Sequence, residues 1–254
     1  MAIGIQDQNA LIVGASGGIG RAVAVALAEA GARLALVGRD REKLEVTRAA
    51  LAPASAASAL VYTCDATDRA AVGVMVAEAL AALGGIDILV CASGLNVRQR
   101  SLRVLDPEDW DRVMAGNLGA AFNLIHFVAP SMRERGSGLV IQISSLAGMR
   151  SSALAGAAYS ASKFAQAALG IALGREERGR GIRSSVIYPG EVDTPFLDIR
   201  APRPGGGETT GPAPRREGIL QPSDVAAAVR FLAELPPRAH VPELVLKPTI
   251  DDFT

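Results

Sequence analysis

The feature that most constrains the fold is a regular alternation of short apolar segments with longer helix-like segments. The apolar segments are rich in Leu, Ile and Val, which is typical of parallel strands covered on both faces. We predict strands near residues 10–13, 33–37, 59–63, 87–91, 138–143, 182–187 and 243–246. Helices are predicted near 18–30, 40–51, 67–83, 107–133, 152–178 and 223–234. Strands separated by helices form βαβ units, so we expect an α/β fold built on one doubly wound parallel sheet.

The first predicted strand runs directly into a glycine-rich turn. Leu11 to Val13 is the apolar run, Gly14, Gly18 and Gly20 follow, and a helix-like segment begins in the same turn. Glycines here allow a tight turn and let a pyrophosphate approach the helix N-terminus, where free N–H groups favour anions. We therefore expect a Rossmann-type sheet of about seven strands, with helices on both faces, that binds a dinucleotide.

Tyr159 and Lys163 are spaced so that a helix places them on one face, one turn apart. A nearby ammonium favours the phenolate and lowers the tyrosine pKa from its reference value of about 10. A tyrosine tuned in this way exchanges a proton with a substrate oxygen. The chain has only three lysines and three tyrosines, so a chance pair is uncommon, although an ordinary amphipathic helix would explain the pair if it stood alone.

Composition excludes several other classes of protein. Lys plus Arg and Asp plus Glu both number 26, and this zero formal charge does not favour nucleic acid as a partner. We find no apolar run of ~18 residues and no signal-peptide pattern at the N-terminus, so we expect no membrane association. Cys64 and Cys91 are far apart in apolar surroundings, which predicts buried free thiols and a cytoplasmic protein. Two histidines and two cysteines, all distant in sequence, predict no metal site.

The chain is predicted to form a single domain over residues 1–254. The segment 200–218 is rich in proline and glycine and cannot hold regular structure. A loop of this length, after the sixth strand and on the ligand-binding side of the sheet, predicts a mobile substrate lid near 196–218. A surface excursion without a role remains the alternative.

Several motifs, in order along the chain, together resemble the short-chain dehydrogenase/reductase family in its compact single-domain form. The resemblance extends from about Gln8 to Thr249. Its motifs are Gly14-Ala15-Ser16-Gly17-Gly18-Ile19-Gly20, Cys64-Asp65-Ala66-Thr67, Asn117, Ile143-Ser144-Ser145, Tyr159 with Lys163, and Tyr188-Pro189-Gly190-Glu191-Val192-Asp193-Thr194.

The resemblance implies an oxidoreductase that interconverts a carbonyl compound and an alcohol, using Asn117, Ser145, Tyr159 and Lys163 as catalytic residues. Tyr159 would be the general acid or base, Lys163 would tune it, Ser145 would hold the substrate oxygen, and Asn117 would hold a water of a proton relay. Ser144 is adjacent, but neighbouring strand residues point to opposite faces, so only one serine can serve.

The resemblance also implies a set of nicotinamide cofactor contacts. They are Gly14, Ser16, Gly17, Gly18, Ile19, Gly20, Arg39, Asp65, Ala66, Ala92, Gly94, Tyr159, Lys163, Pro189, Gly190, Val192 and Thr194. An acidic residue at the end of the second strand would select NAD, whereas here Gly38 and Arg39 occupy that region. Arginine can clamp a 2′-phosphate, so NADP(H) is favoured over NAD(H). Alternatively, Arg39 is a solvated charge before a helix capped by Asp40.

The sequence departs from the family pattern at Cys91, Ala92, Val13 and Tyr188, and Cys91 removes an asparagine that normally bridges neighbouring strands. None of these departures touches the proton-transfer residues. The alternative is a catalytically silent NAD(P)-binding regulator, against which the intact set of Asn117, Ser145, Tyr159 and Lys163 argues. A hydrolase is rejected: Gly14 to Gly18 matches Gly-x-Ser-x-Gly around Ser16, but His126 and His240 are poorly placed as bases. We expect a small-molecule carbonyl or alcohol substrate and a homodimer or homotetramer.

Overall fold

A computed structural model of the chain describes residues 4–200 and 217–250, excluding the side chains of residues 199 and 200. Its centre is one seven-stranded sheet with strand order β3-β2-β1-β4-β5-β6-β7, in which every pair of neighbours is parallel. The strands are β1 Asn9–Val13, β2 Arg33–Gly38, β3 Leu60–Thr63, β4 Ile88–Cys91, β5 Gly138–Ile143, β6 Ile182–Pro189 and β7 Glu243–Leu246. The predicted doubly wound sheet of about seven strands is confirmed.

Helices connect the strands and cover both faces of the sheet. They are α1 Gly18–Glu29, α2 Arg41–Ala49, α3 Pro53–Ser58, α4 Arg69–Leu83, α5 Pro107–Met114, α6 Ala120–Arg135, α7 Ala157–Glu176, α8 Phe196–Arg200 and α9 Pro222–Glu234. A π-helical turn, Ala115–Gly119, joins α5 to α6, and a 3₁₀ turn, Leu146–Gly148, follows β5. The short helices α3 and α8 were not predicted, because segments of five or six residues carry too little periodicity.

Local sequence explains where the long helices begin. Asp40, Asp68 and Asp106 cap α2, α4 and α5, each side chain accepting a backbone N–H of the first turn. The predicted start of α7 at residue 152 was wrong. Gly156 has φ 84°, a left-handed conformation outside the helical range, and α7 begins one residue later.

The core consists of two layers, one on each face of the sheet. Along β1, Ala10 and Ile12 pack towards α1 and α9, while Leu11 and Val13 pack towards α4 and α6. Both sets are fully or almost fully buried. Because both faces are covered, the strands read as continuous apolar runs rather than as alternating patterns.

The two cysteines, Cys64 and Cys91, are buried free thiols, as predicted.

Residues 107–135 form one continuous helical stretch. By length and composition it could cross a membrane, contrary to the expectation from sequence. However, 56% of its apolar 18-residue segment is buried within the fold. A core helix has the same character, and this one packs against α4 and β5. Most of the predicted lid near 196–218 lies outside the described residues.

Candidate active site

The candidate site is a cleft at the carboxyl ends of β1, β4, β5 and β6. The chain order reverses between β1 and β4, which are adjacent in the sheet although β2 and β3 lie on the other side of β1. At such a switch point the loops after the two strands diverge and leave a crevice. Two adjoining cavities lie in it, which we call the outer cleft and the inner cleft, and both are lined by Gly14, Ser16 and Gly94.

The glycine-rich turn forms the wall shared by the two cavities. Gly14 has φ 91°, and a Cβ at this position would lie 2.7 Å from the carbonyl carbon of Ala92. A Cβ on Gly20 would collide with the Gly14 carbonyl oxygen. The turn ends at Gly17, where α1 begins without a side-chain cap from any described residue. The first N–H groups of α1 are therefore left for an anion approaching over the glycines.

The outer cleft has a volume of about 190 Å³ and lies at the ends of β2 and β3. Predicted cofactor contacts line it: Gly14, Ser16, Gly17, Arg39, Asp65, Ala66, Ala92 and Gly94. Arg39 is exposed, and Asp40 caps α2 as the alternative interpretation required. A Cβ on Gly38 would lie 2.8 Å from Ser16 Oγ, so a larger residue at the end of β2 would have to displace Ser16.

Asp65 is held by the turn that follows it. Its carboxylate accepts hydrogen bonds from the backbone N–H of Thr67 at 2.9 Å and from Thr67 Oγ1 at 2.8 Å. These bonds, with a smaller effect of the Arg39 charge, hold the pKa of Asp65 below its usual value. The geometry therefore fixes Asp65 as an anion at the rim of the outer cleft.

The inner cleft has a volume of about 560 Å³ and contains most of the predicted catalytic residues. It is lined by Gly18, Ile19, Gly20, Ser144, Ser145, Tyr159, Lys163, Pro189, Gly190, Val192, Thr194 and Phe196, among others. Segments after β1, β5 and β6 and the first two turns of α7 thus meet around one space. Asn117 is the only one of the four predicted catalytic residues that does not line this part of the cleft.

Tyr159 and Lys163 lie on the same face of α7, as their spacing predicted. Tyr159 is 6% exposed and packs against Phe196 of α8, with the ring centroids 5.5 Å apart. Lys163 Nζ lies 5.8 Å from the centroid of the Tyr159 ring. An ammonium at this distance acts on the phenol through a medium that contains little water, so their electrostatic coupling is stronger than it would be in solution.

Lys163 is buried, yet it makes two hydrogen bonds. Its Nζ donates to the Ile143 carbonyl oxygen at 2.9 Å and to Gln166 Oε1 at 2.7 Å. Burial lowers the pKa of Lys163 to about 7, with a small opposing effect from Cys91. At neutral pH the cation that the predicted chemistry needs is thus no more stable than the neutral amine, so its hydrogen-bond acceptors matter.

The two serines after β5 have different environments. Ser144 Oγ donates to the Lys163 carbonyl oxygen at 3.0 Å and so fastens α7 to the strand end. Ser145 Oγ accepts from the Ala147 N–H at 3.2 Å, which leaves its own hydroxyl hydrogen for another acceptor. This difference favours Ser145 as the residue that meets a substrate oxygen.

Asn117 lies in the π-helical turn between α5 and α6. Its Oδ1 accepts from Leu95 N at 2.8 Å, and its Nδ2 donates to Leu95 O at 3.0 Å and to Ser162 Oγ at 2.8 Å. Asn117 therefore ties the loop after β4 to α7. Its predicted role in holding a relay water stays a prediction.

Two buried glutamines in this region were missed from the sequence. Gln166 contacts Lys163, and Gln166 Nε2 donates to Gln142 Oε1 at 3.0 Å. Gln166 follows Lys163 by three residues, which is the spacing that keeps it on the same face of α7 as Tyr159 and Lys163. That spacing was the available signal. The histidines are elsewhere: His126 packs between Phe122 and Phe127 on α6, and His240 Nε2 lies 3.0 Å from Ser184 O.

Comparison with known proteins identifies the family. The chain matches the short chain dehydrogenase family model over residues 8–203. The glycine betaine reductase ATRR of Emericella nidulans is 35% identical over 252 residues, covering 96% of this chain but only 19% of that protein. An uncharacterized oxidoreductase of Staphylococcus saprophyticus is 31% identical over 247 residues, covering 96% of this chain and 98% of that protein.

Solved structures give the same result. A metagenomic short-chain oxidoreductase in complex with NADP has a TM-score of 0.81 and 31% identity, covering 98% of this chain and all of that one. An NAD⁺-bound xylitol dehydrogenase has a TM-score of 0.83 and 26% identity, covering 96% and 99%. The chain therefore belongs to the short-chain dehydrogenase/reductase family. It is an NAD(P)-dependent oxidoreductase.

Proposed function

We propose that the protein is an NADP(H)-dependent oxidoreductase that interconverts a small ketone or aldehyde and the corresponding alcohol. The observation that carries this proposal is the convergence of Ser145, Tyr159 and Lys163 on the inner cleft, directly beside the glycine-rich turn. A proton donor and a dinucleotide cradle in one cleft are what carbonyl reduction requires.

The cleft fits a nicotinamide dinucleotide. The glycines at 14 and 20 leave backbone exposed where side chains would fill the space, and the two adjoining cavities extend from there towards Arg39 and towards Tyr159. Asp65 and Ala66 would hold the adenine, Gly17 to Gly20 the pyrophosphate, and Lys163, Pro189, Gly190, Val192 and Thr194 the nicotinamide riboside. When bound, the cofactor supplies or removes a hydride.

The protein's own residues perform the proton chemistry. Tyr159 donates its phenolic proton to the substrate oxygen during reduction and accepts a proton during oxidation. The Lys163 ammonium stabilises the phenolate left after donation, because opposite charges attract strongly in a buried site. Ser145 donates a hydrogen bond to the same substrate oxygen and keeps it within reach of Tyr159. Asn117 would hold a water that returns protons from solvent to Lys163.

The preference for NADP(H) rests on the end of β2. Gly38 takes the position of the acidic residue that would bind both ribose hydroxyls, and Arg39 is exposed at the edge of the outer cleft. A guanidinium there can pair with a 2′-phosphate. The NADP complex of the metagenomic relative supports this preference, whereas the NAD⁺ complex of xylitol dehydrogenase makes the test against NAD(H) necessary.

The proposal includes the assembly and the setting of the enzyme. Members of this family are commonly oligomeric and typically soluble. Exposed aromatic side chains on α5, α6 and α7, namely Trp110, Phe122 and Phe164, support a homodimer or homotetramer that covers them. We further propose a single domain, a substrate lid near 196–218, and a cytoplasmic location.

The direct test is absorbance at 340 nm during incubation of the purified protein with NADPH, or with NADH, and a panel of ketones and aldehydes. We expect NADPH consumption with at least one carbonyl compound and a lower kcat/KM with NADH. Tight NADPH binding with no consumption across a broad panel would contradict the proposal and favour the catalytically silent regulator.

A further inference from the structure

The buried surroundings of Lys163 contain a pair of amides that the proposed chemistry does not yet use. Gln166 and Gln142 are 1% and 0% exposed, and Lys163 is 3% exposed. The three side chains form a hydrogen-bonded series from Lys163 Nζ to Gln166 and from Gln166 to Gln142. Burying two polar amides without a function would be costly, even with most of their hydrogen bonds satisfied.

The orientation of both amides follows from the ammonium. A protonated lysine can only donate, so Gln166 must present its oxygen to Lys163. Its NH₂ group then faces Gln142, which must present its own oxygen in turn. Gln142 Nε2 is left without a hydrogen-bond partner among the described residues. Both hydrogen bonds of the series therefore point the same way, with Lys163 donating to Gln166 and Gln166 donating to Gln142. The atom without a partner, Gln142 Nε2, lies at the end farthest from the ammonium.

The backbone holds this series in place. Gln142 is the residue of β5 that pairs in register with Cys91 of β4, immediately below the cleft. On α7, Tyr159, Lys163, Gln166 and Gly170 are spaced by four, three and four residues, which aligns them along one face. A Cβ on Gly170 would lie 3.2 Å from Gln142 Cγ and 2.8 Å from Val186 Cγ2, so the glycine makes room for Gln142.

Among the residues that the structure describes, the other groups around Lys163 do not supply a counter-charge. Cys91 of β4 is fully buried, and burial raises the pKa of its thiol to about 12, outweighing the opposing effects of Gln142 and Lys163. The thiol is therefore neutral at ordinary pH. From its own helix, Tyr159 faces Lys163. Asn117 of the π turn also lies next to Gly94, but its side chain bonds Leu95 and Ser162. The fixed acceptors of the ammonium are thus the Ile143 carbonyl and Gln166.

We propose that Gln166, oriented by Gln142, is a positioning residue that keeps Lys163 in its ammonium form and directed towards the inner cleft. Gln166 acts through Lys163 and does not touch the substrate. A charge-assisted hydrogen bond in a site with little water stabilises the charged donor more than the neutral one. The inference rests on the proposed function for the role of Lys163, although its main test does not depend on turnover.

The test is an NMR titration of the lysine side chains in protein labelled with ¹³C at lysine Cε. The chain contains only three lysines, so Lys43 and Lys247 provide reference signals in each spectrum. We expect Gln166→Met, which keeps the volume but removes the acceptor, to lower the Lys163 midpoint by roughly one pH unit. Gln166→Glu, which keeps the oxygen and adds a negative charge, should raise the midpoint. Gln142→Met should lower it by less.

Ser160→Ala is the matched control. Ser160 lies on the same helix, and its buried hydroxyl has no hydrogen-bond partner among the described residues. This variant should leave the Lys163 midpoint unchanged. A folded Gln166→Met protein whose Lys163 titrates as in the wild type would overturn the proposal. If that variant does not fold, failure of Gln166→Glu to raise the midpoint overturns it instead.

A kinetic readout applies once a carbonyl substrate is known. Reduction requires protons on both Tyr159 and Lys163, so its rate falls as pH rises through the first deprotonation of the pair. Gln166→Met should move this alkaline limb to lower pH, and Gln166→Glu should move it to higher pH. A purely structural role would lower the rate without moving the limb, and that result would contradict the inference.

Discussion

The outer and inner clefts are adjacent but are built in different ways. In the outer cleft, the groups available to a ligand are backbone atoms of a glycine turn and two side chains at the rim, Arg39 and Asp65, that solvent reaches. In the inner cleft, Tyr159 and Lys163 are almost completely buried, with Lys163 Nζ 5.8 Å from the centroid of the Tyr159 ring. Lys163 is hydrogen-bonded to the carbonyl oxygen of Ile143 at the end of β5 and to the buried Gln166 behind it. The outer cleft depends on the shape of the backbone, and the inner cleft depends on a buried charge.

This difference predicts which changes each part tolerates. A buried ammonium carries a large desolvation cost, so changes near it should alter proton equilibria and their pH dependence. A rim charge is screened by water and salt, so its removal should alter affinity only modestly. Changes to the glycine turn should act by steric exclusion and should be independent of pH.

The largest expected effect concerns stability and Lys163. Its pKa is about 7 in the folded protein and 10.5 as the reference for an exposed lysine. Between these two pH values the unfolded chain therefore binds more protons than the folded protein. Burying the charged Lys163 lowers the free energy of unfolding by its full amount below pH 7, and this loss disappears as the pH rises towards 10.5. The unfolding free energy of the wild type minus that of Lys163→Met should rise with pH, by up to about 1.4 kcal/mol per unit.

Urea denaturation of both proteins at several pH values from 6 to 10 measures this difference. Cys91, whose thiol pKa is raised, is present in both proteins, so its contribution cancels to first order. The difference should be flat below pH 7. Parallel stability curves across the whole range would show that Lys163 is not desolvated, and the contrast between the two clefts would fail.

The next effect concerns the glycine turn. Gly14→Ala places a Cβ against the Ala92 backbone at a left-handed φ, so we expect at least a tenfold weaker NADPH affinity and a lower melting temperature. Gly84→Ala is the matched control, since Gly84 also has a left-handed φ, 77°, but nothing lies within 4 Å of the added Cβ. It should lose stability and keep its affinity. Equal losses of NADPH affinity in both variants would contradict the proposal that the glycine turn at Gly14 binds the cofactor.

The smallest effect concerns the rim. Arg39→Ala should weaken NADPH binding roughly fivefold, as removal of an exposed ionic contact does, and leave NADH binding unchanged. Arg41→Ala removes a neighbouring charge that is 65% exposed and pairs with Glu45, and should change neither affinity. Fluorescence titration with both cofactors provides the comparison. Equal losses for NADPH and NADH in Arg39→Ala would remove the argument for a 2′-phosphate contact.

The outer cleft could be predicted almost completely from the sequence. Most of its parts are local: a strand, a glycine turn and a helix follow one another in residues 9–29, and Asp65 is the second residue after β3. Local patterns of this kind fix both secondary structure and the exposed backbone. The pair Tyr159 and Lys163 was also visible, because both residues belong to one helix.

The surroundings of the inner cleft could not be predicted in the same way. Gln142 and Gln166 lie 24 residues apart and meet only because β5 and α7 pack together. The bonds of Asn117 to Leu95 and Ser162 likewise depend on a π turn that no propensity reveals. Such contacts are set by tertiary packing, and a single sequence carries no direct record of them. The start of α7 was misplaced for the opposite reason, since Gly156 overrides a favourable composition.

The central claim is that Tyr159 transfers the proton while the rest of the cleft binds the cofactor. The most direct measurement compares Tyr159→Phe with Ser160→Ala, both buried on α7, for NADPH affinity and for the rate of NADPH consumption with an accepted carbonyl compound. The account predicts that Tyr159→Phe binds NADPH normally and loses turnover about 10²- to 10⁴-fold, while Ser160→Ala keeps both. A folded Tyr159→Phe protein that consumes NADPH at the wild-type rate would contradict the account.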